Sequence, residues 1–233
     1  MGTVMDFTRH RSVFDPAKWT RRVDVIGLGA TGSKIALSLA KLGVRNLHLW
    51  DGDTIEAHNI ANQVYSPSDV GKMKTQAMME TLAWVTGDDD TFRFTAHAYW
   101  APGNSNLGEV VFCMVDSMAI RRQLFEKSRT SLRTSLVIDS RMGSDHAQLL
   151  TYNPHNTDQR KAYEATLFND DDAHVEVSAC GAAITVGPTG DIISGFAVWQ
   201  FINYATGGVV EPEIIVGARA PSMYVAREEK PHE

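Results

Sequence analysis

Val23-Asp24-Val25-Ile26-Gly27-Leu28-Gly29-Ala30-Thr31-Gly32 is the stretch that decides the fold of this chain. Residues 23–27 form a short, mostly apolar run ended by glycine, the pattern of a buried strand. Residues 31–42 read as a helix, with Ile35, Leu39 and Leu42 at helical spacing and Gly43 as its C-terminal cap. Between them Gly27, Gly29 and Gly32 fit G-x-G-x-x-G. The first glycine permits a tight turn, the second lets a phosphate approach the backbone, and the third lets helix and strand pack closely. Unpaired N–H groups at the helix start then bind an anion. Asp51 ends the next strand, Asn46–Trp50, in the position that usually bonds ribose hydroxyls. Taken alone, this stretch favours NAD or FAD over a ligand-free structural turn.

Further along, residues 74–85 read as a helix, 91–96 and 110–115 as strands, 119–132 as a helix and 136–139 as a strand. Such alternation builds a doubly wound sheet. Residues 148–152 begin an antiparallel portion, 190–204 form a helix apolar nearly all round, and 213–216 with 223–226 form a late hairpin. The expected fold is α/β: a Rossmann-like, doubly wound, mostly parallel sheet with an antiparallel C-terminal portion. A single domain is expected over residues 1–233, with an N-terminal arm at 1–20 and a candidate crossover segment at 151–180.

The 233 residues carry 22 Lys+Arg against 28 Asp+Glu, a formal charge of −6, with no like-charge block long enough for a nucleic-acid arm. Nucleic acid is therefore not expected as the main partner. No stretch has the apolar length of a signal peptide or a membrane span, so cytoplasmic residence is expected. Two cysteines, Cys113 and Cys180, exclude a disulfide framework and a four-cysteine zinc site, and the eight histidines show no ligand spacing.

Asp51-Gly52-Asp53 is followed by Asn59, Gln63 and then Gly71-Lys72-Met73-Lys74, and a later strand ends in Asp116-Ser117. A plain dinucleotide fold needs none of these. In order and spacing they resemble the ThiF/MoeB/E1 adenylating family, over residues 23 to 122 and more loosely to about 207. That resemblance implies a homodimer that uses ATP and Mg²⁺; the family's paired C-x-x-C zinc motifs are absent here, so zinc is not expected. Its substrate would be the C-terminal glycine carboxylate of a small ubiquitin-like or sulfur-carrier β-grasp protein. A conjugating enzyme or a sulfur donor would follow.

By the same resemblance, Gly27, Gly29, Gly32, Asp51 and Asp53 hold the nucleotide, with Asp51 on the ribose. Asn59, Asn62 and Gln63 line the phosphate region. Lys74 neutralises the departing pyrophosphate, and Asp116 supports Mg²⁺ or the reacting phosphate. These types suit the chemistry: a carboxylate attacking an α-phosphate gathers anions, so cations must stabilise the growing charge. Surface lysine and helix cap are the plain structural alternatives for Lys74 and Asp116. Arg11 matches the family arginine that reaches the partner subunit's ATP, and Arg121 a family arginine that organises structure. Cys180 matches the cysteine that accepts the activated acyl group, or is a small core residue; Cys113, inside an apolar strand, reads as inert.

One departure stands out: Asn62 occupies the position of the arginine in N-x-x-R-Q. Either another cation substitutes, with Lys72, Arg11 and Arg141 as candidates, or activity is reduced or lost. Three other readings stay open: a dimeric scaffold without catalysis, an NAD(P)-dependent oxidoreductase, and an adenylating enzyme for a small molecule or a tRNA base.

Overall fold

The computed structural model describes residues 5–87, 89–100, 106–169 and 184–227. Its centre is a sheet of eight strands in the order β3-β2-β1-β4-β5-β6-β7-β8. β1 (Val23–Ile26), β2 (Asn46–Trp50), β3 (Arg93–His97), β4 (Val110–Cys113) and β5 (Leu136–Met142) are parallel. β6 (His146–Tyr152), β7 (Glu213–Gly217) and β8 (Ser222–Ala226) add antiparallel. Five α-helices among the described residues accompany them: α1 (Gly32–Leu42), α2 (Lys74–Thr86), α3 (Met118–Thr130), α4 (Thr157–Glu164) and α5 (Gly187–Thr206).

Alternation along the strands sorts the side chains onto two faces. Val23, Val25, Leu47, Leu49, Val110, Phe112, Leu136 and Ile138 pack in one core with α1, α2 and α5. Ile26, Trp50, Val111, Cys113 and Val137 pack in a second with Leu124 and Phe125 of α3 and Tyr163 of α4. Both faces of the central strands are covered, so those strands read as continuous apolar runs. The chain winds outward through β1, β2 and β3, then returns to β4 and winds the other way. The reversal falls between β1 and β4, and a crevice opens there at the carboxyl ends of the strands.

Two segments carry structure that the sequence reading left open. The expected crossover at 151–180 begins as the last residues of β6 and then forms α4, where Asn156 caps the helix by accepting from Asp158 N and Gln159 N. The eight-residue helix has only Tyr163 buried, so its apolar periodicity is too sparse to read from sequence. The arm is anchored: Phe7, Phe14 and Trp19 are buried, and Trp19 meets Phe201 of α5 edge-on at 4.9 Å between ring centroids. Asp24, within β1, is wholly buried and accepts from Arg22, Trp50 Nε1 and Gly108 N. Burial pushes its carboxyl up despite the arginine. No helix among the described residues is long and apolar enough to cross a membrane.

Candidate active site

The glycine loop sits in the β1/β4 crevice because its backbone is wedged there. Gly27 adopts φ +89°, and a Cβ on it would lie 2.4 Å from Met114 O, so only glycine fits. A Cβ on Gly32 would lie 1.8 Å from Gly27 O, whereas one on Gly29 would meet nothing within 4 Å. The first and third glycines therefore serve packing. The second leaves room over the loop, where the motif brings a phosphate to the backbone.

Asp51 holds this loop in place. It is 1% exposed; Oδ2 accepts from Leu28 N at 2.7 Å and Oδ1 from Asp53 N at 2.8 Å. Each oxygen keeps a second lone pair for a ligand. Burial raises the Asp51 pKa, and the nearby Lys74 ammonium opposes that rise. Lys74 opens α2 and is itself buried, with Nζ 2.8 Å from Asp53 and 3.9 Å from Asp51. Its backbone N donates to Asp53 O, and the Thr54–Met73 bridge clamps the two ends of the intervening loop. A lysine under this much protein, beside two carboxylates, is not the solvated helix lysine of the plain reading.

Asn59 is a turn former. Its Oδ1 accepts from Glu56 N, and its carbonyl accepts from Asn62 N and Gln63 N. That turn presents Asn62 and Gln63. Asn62 Nδ2 donates to Thr185 Oγ1. Asn62 Oδ1 and Gln63 Oε1 are buried with no hydrogen-bond partner among the described residues. Buried acceptors left open cost stability unless a ligand or water donates to them.

Asp116 lies just past β4, two residues after the Met114 carbonyl that abuts Gly27. It is exposed, and the helix cap is its neighbour Ser117, which accepts from Ile120 N. The cap reading of Asp116 is thus replaced by that of a free carboxylate at the crevice mouth. Among the described residues no group of three His, Cys, Asp or Glu forms a metal cage. A Mg²⁺ here would rest on Asp116, substrate phosphates and water, which is how that ion is commonly held.

The other expected residues go elsewhere. Arg121 is buried, donating to Asp139, Val115 O and Ser140 O, and so ties the ends of β4 and β5. Arg141 donates to Asp139 and to Thr166 after α4. Lys72 pairs with Asp69 and Glu80. Arg11 is exposed in a turn of the arm, which packs against Leu42 and Gly43 at the far end of α1. None of the three proposed substitutes for the missing arginine, Lys72, Arg11 and Arg141, stands free at the loop of its own chain. Cys180 lies outside the described residues; Cys113 is fully buried, and burial pushes its thiol up.

Sequence reasoning missed four contributors. Tyr65 is buried and its hydroxyl donates to Leu28 O, pinning the glycine loop. Gly190 and Ser194 of α5 let that helix approach α1: a Cβ on Gly190 would lie 3.0 Å from Ala30 O, and Ser194 Oγ donates to Thr31 O. Lys34 reaches the start of α5, with Nζ 2.7 Å from Gly187 O. Its place directly after Gly32-Ser33 was the available signal.

Residues 19–219 match the model of the ThiF family. The chain belongs to the ThiF family. Among curated relatives, an adenylyltransferase and sulfurtransferase uba4 of Aspergillus fumigatus is 28% identical over 211 residues, covering 88% of this chain and 42% of that protein. A ubiquitin-like modifier-activating enzyme 5 of Dictyostelium discoideum is 38% identical over 77 residues, covering 33% of this chain and 19% of that protein. This ThiF-family chain thus spans less than half the length of either relative. Among solved structures, PaaA superposes with a TM-score of 0.70 at 20% identity, covering 96% of this chain and 69% of that one. Escherichia coli MccB with ATP gives 0.67 at 18% identity, covering 92% and 65%. Family membership sets the hydride-transfer reading aside and makes the chain homologous to adenylyltransferases.

Proposed function

We propose that the chain adenylates the C-terminal glycine carboxylate of a small ubiquitin-like or sulfur-carrier protein. The observation that carries this is the buried Lys74 beside Asp51 and Asp53, next to a glycine loop whose second glycine faces open space. A carboxylate oxygen of the partner attacks the α-phosphorus of ATP, and the α–β bridging bond breaks. Pyrophosphate leaves and an acyl-adenylate remains. Asp51 orients the nucleotide while fixing the loop, and Lys74 faces the charge that grows on the leaving pyrophosphate. Mg²⁺ at Asp116 would neutralise phosphate charge. Low local polarity strengthens each of these interactions.

Cys180 is the acceptor in the thioester version of the reaction, and a homodimer would bring a partner's Arg11 to each site. The test is ATP–pyrophosphate exchange stimulated by a β-grasp protein ending in glycine. Lys74→Ala and Asp116→Ala should each lower exchange at least tenfold, whereas Cys180→Ala should leave it intact. Exchange that no such protein stimulates would overturn the proposal. Asn62, in place of arginine, favours the second reading, a catalytically impaired scaffold. That reading predicts partner binding without exchange.

A further inference from the structure

We infer that Lys34 supplies the phosphate-binding cation that Asn62 does not. This rests on the ATP reading above. Among the described residues, Asp51, Asp53 and Asp116 set three carboxylates near the loop against the ammonium of Lys74, and Asp191 is paired with Lys34. Asp139, a further acid at this edge, is matched by Arg121 and Arg141. A triphosphate entering such a site needs a further positive charge on the protein.

Lys34 is placed to give it. It is the third residue of α1, in the first turn after the glycine loop, where helix backbone already favours anions. Its Nζ lies at the first turn of α5, where it donates to Gly187 O. A Cβ on Gly190 would be 3.4 Å from Lys34 Nζ and 3.0 Å from Ala30 O of the loop, so the ammonium and the loop carbonyl both border Gly190. A Cβ on Gly187 would lie 3.7 Å from Asn62 Cα. The lysine tip, the glycine loop and Asn62 thus all border the first turn of α5.

Its present partners release it readily. Gly187 O is neutral, and Asp191, 2.7 Å away, has a side chain 65% exposed, so water screens that pair. The Lys34 side chain is 15% exposed, reachable yet largely desolvated. A phosphate with two negative charges outcompetes a solvated single carboxylate for such a group.

Titration calorimetry with MgATP and with adenosine tests this on the intact chain. Lys34→Gln should weaken MgATP binding about tenfold or more, the scale of one charge-assisted contact, and leave adenosine binding unchanged. Adding Asn62→Arg to Lys34→Gln should restore MgATP affinity, since a guanidinium then supplies the missing charge from the neighbouring position. Asp191→Asn should bind MgATP as tightly as the unmodified chain or tighter. Equal MgATP binding by Lys34→Gln and the unmodified chain overturns the inference. Parallel losses of melting temperature in Lys34→Gln and Asp191→Asn, with nucleotide affinity untouched, overturn it in favour of a purely structural tie. Failure of the unmodified chain to bind MgATP removes the ATP reading itself, and this inference with it.

Discussion

The two inner glycines of the loop should separate stability from binding when each becomes alanine. At Gly32 the new Cβ lies 1.8 Å from Gly27 O, where ordinary contact begins near 3.4 Å. Backbone must move by about 1.6 Å, and the obstructing atom is the backbone carbonyl of a residue whose own N–H is tied to Trp50 O of β2, rather than a side-chain tip. Overpacking of this kind costs roughly 1–3 kcal/mol or more. Alanine's advantage over glycine in a helix returns at most about 1 kcal/mol. A net loss near 2 kcal/mol should lower the melting temperature by about 4–8 °C for a domain of this size. At Gly29 the added methyl meets nothing, and φ is not positive, so stability should change by less than about 0.5 kcal/mol. That methyl nevertheless fills the space over the loop, and MgATP affinity should fall at least tenfold. Circular-dichroism melts and MgATP titration of both variants give the comparison. Equal melting losses in the two variants would refute the packing argument. Unchanged MgATP binding by Gly29→Ala would show that phosphate does not lie over the loop.

Lys74→Met leaves Asp51 buried without its cation. The loss should be about 2 kcal/mol, below the ~3–5 of a fully enclosed pair because Asp53 is half exposed. The folded-state pKa of Asp51, already raised by burial, rises further, so melts taken from pH 4 to 8 should show stability falling as pH increases, more steeply than in the unmodified chain. Arg121→Met strips three buried acceptors at the ends of β4 and β5 and should cost about 3–5 kcal/mol in urea unfolding; Arg141→Met, half-buried, should cost less. His48 stacks near His97 and their ring nitrogens lie 3.0 Å apart, with Arg22 close by. Burial lowers the His48 pKa from 6.5 to about 4, so the unfolded chain takes up the proton first as pH falls. Stability should therefore decline between pH 6.5 and 4, and His48→Gln should flatten that decline in melts across the same range.

The glycine loop, Asp51 and the parallel strands were legible because each follows from a local rule. Strand, turn and helix adjoin in sequence, and apolar runs ended by glycine or acid mark the strand ends. Asn59 shows where local reading stops. It sits in the motif, yet its side chain holds a turn, and only the turn delivers Asn62 and Gln63 to the crevice. The contacts of Tyr65 and Lys34 were hidden for another reason. Their partners, Leu28 O and Gly187 O, lie 37 and 153 residues away, and no spacing rule reaches across a sheet. Arg141 presents the converse case: it ends a strand at the ligand edge, but a Thr166 contact beyond α4 turns it away.

The docking of α5 on the glycine loop also fixes the order in which the molecule can be completed. The Ser194–Thr31 bond closes a loop of 163 residues, and Trp19 and Phe14 of the arm rest on Phe201. During synthesis at about 5–20 residues per second, the loop leaves the ribosome roughly 8–30 s before the helix that walls it. Until then the face of α1 that meets α5 and the apolar face of β5 and β6 lack their cover. Contacts of such long sequence separation form slowly because loop-closure entropy must be overcome first. The crevice between β1 and β4 is thus among the last parts of the domain to be completed, although the glycine loop that defines it is among the first to be made.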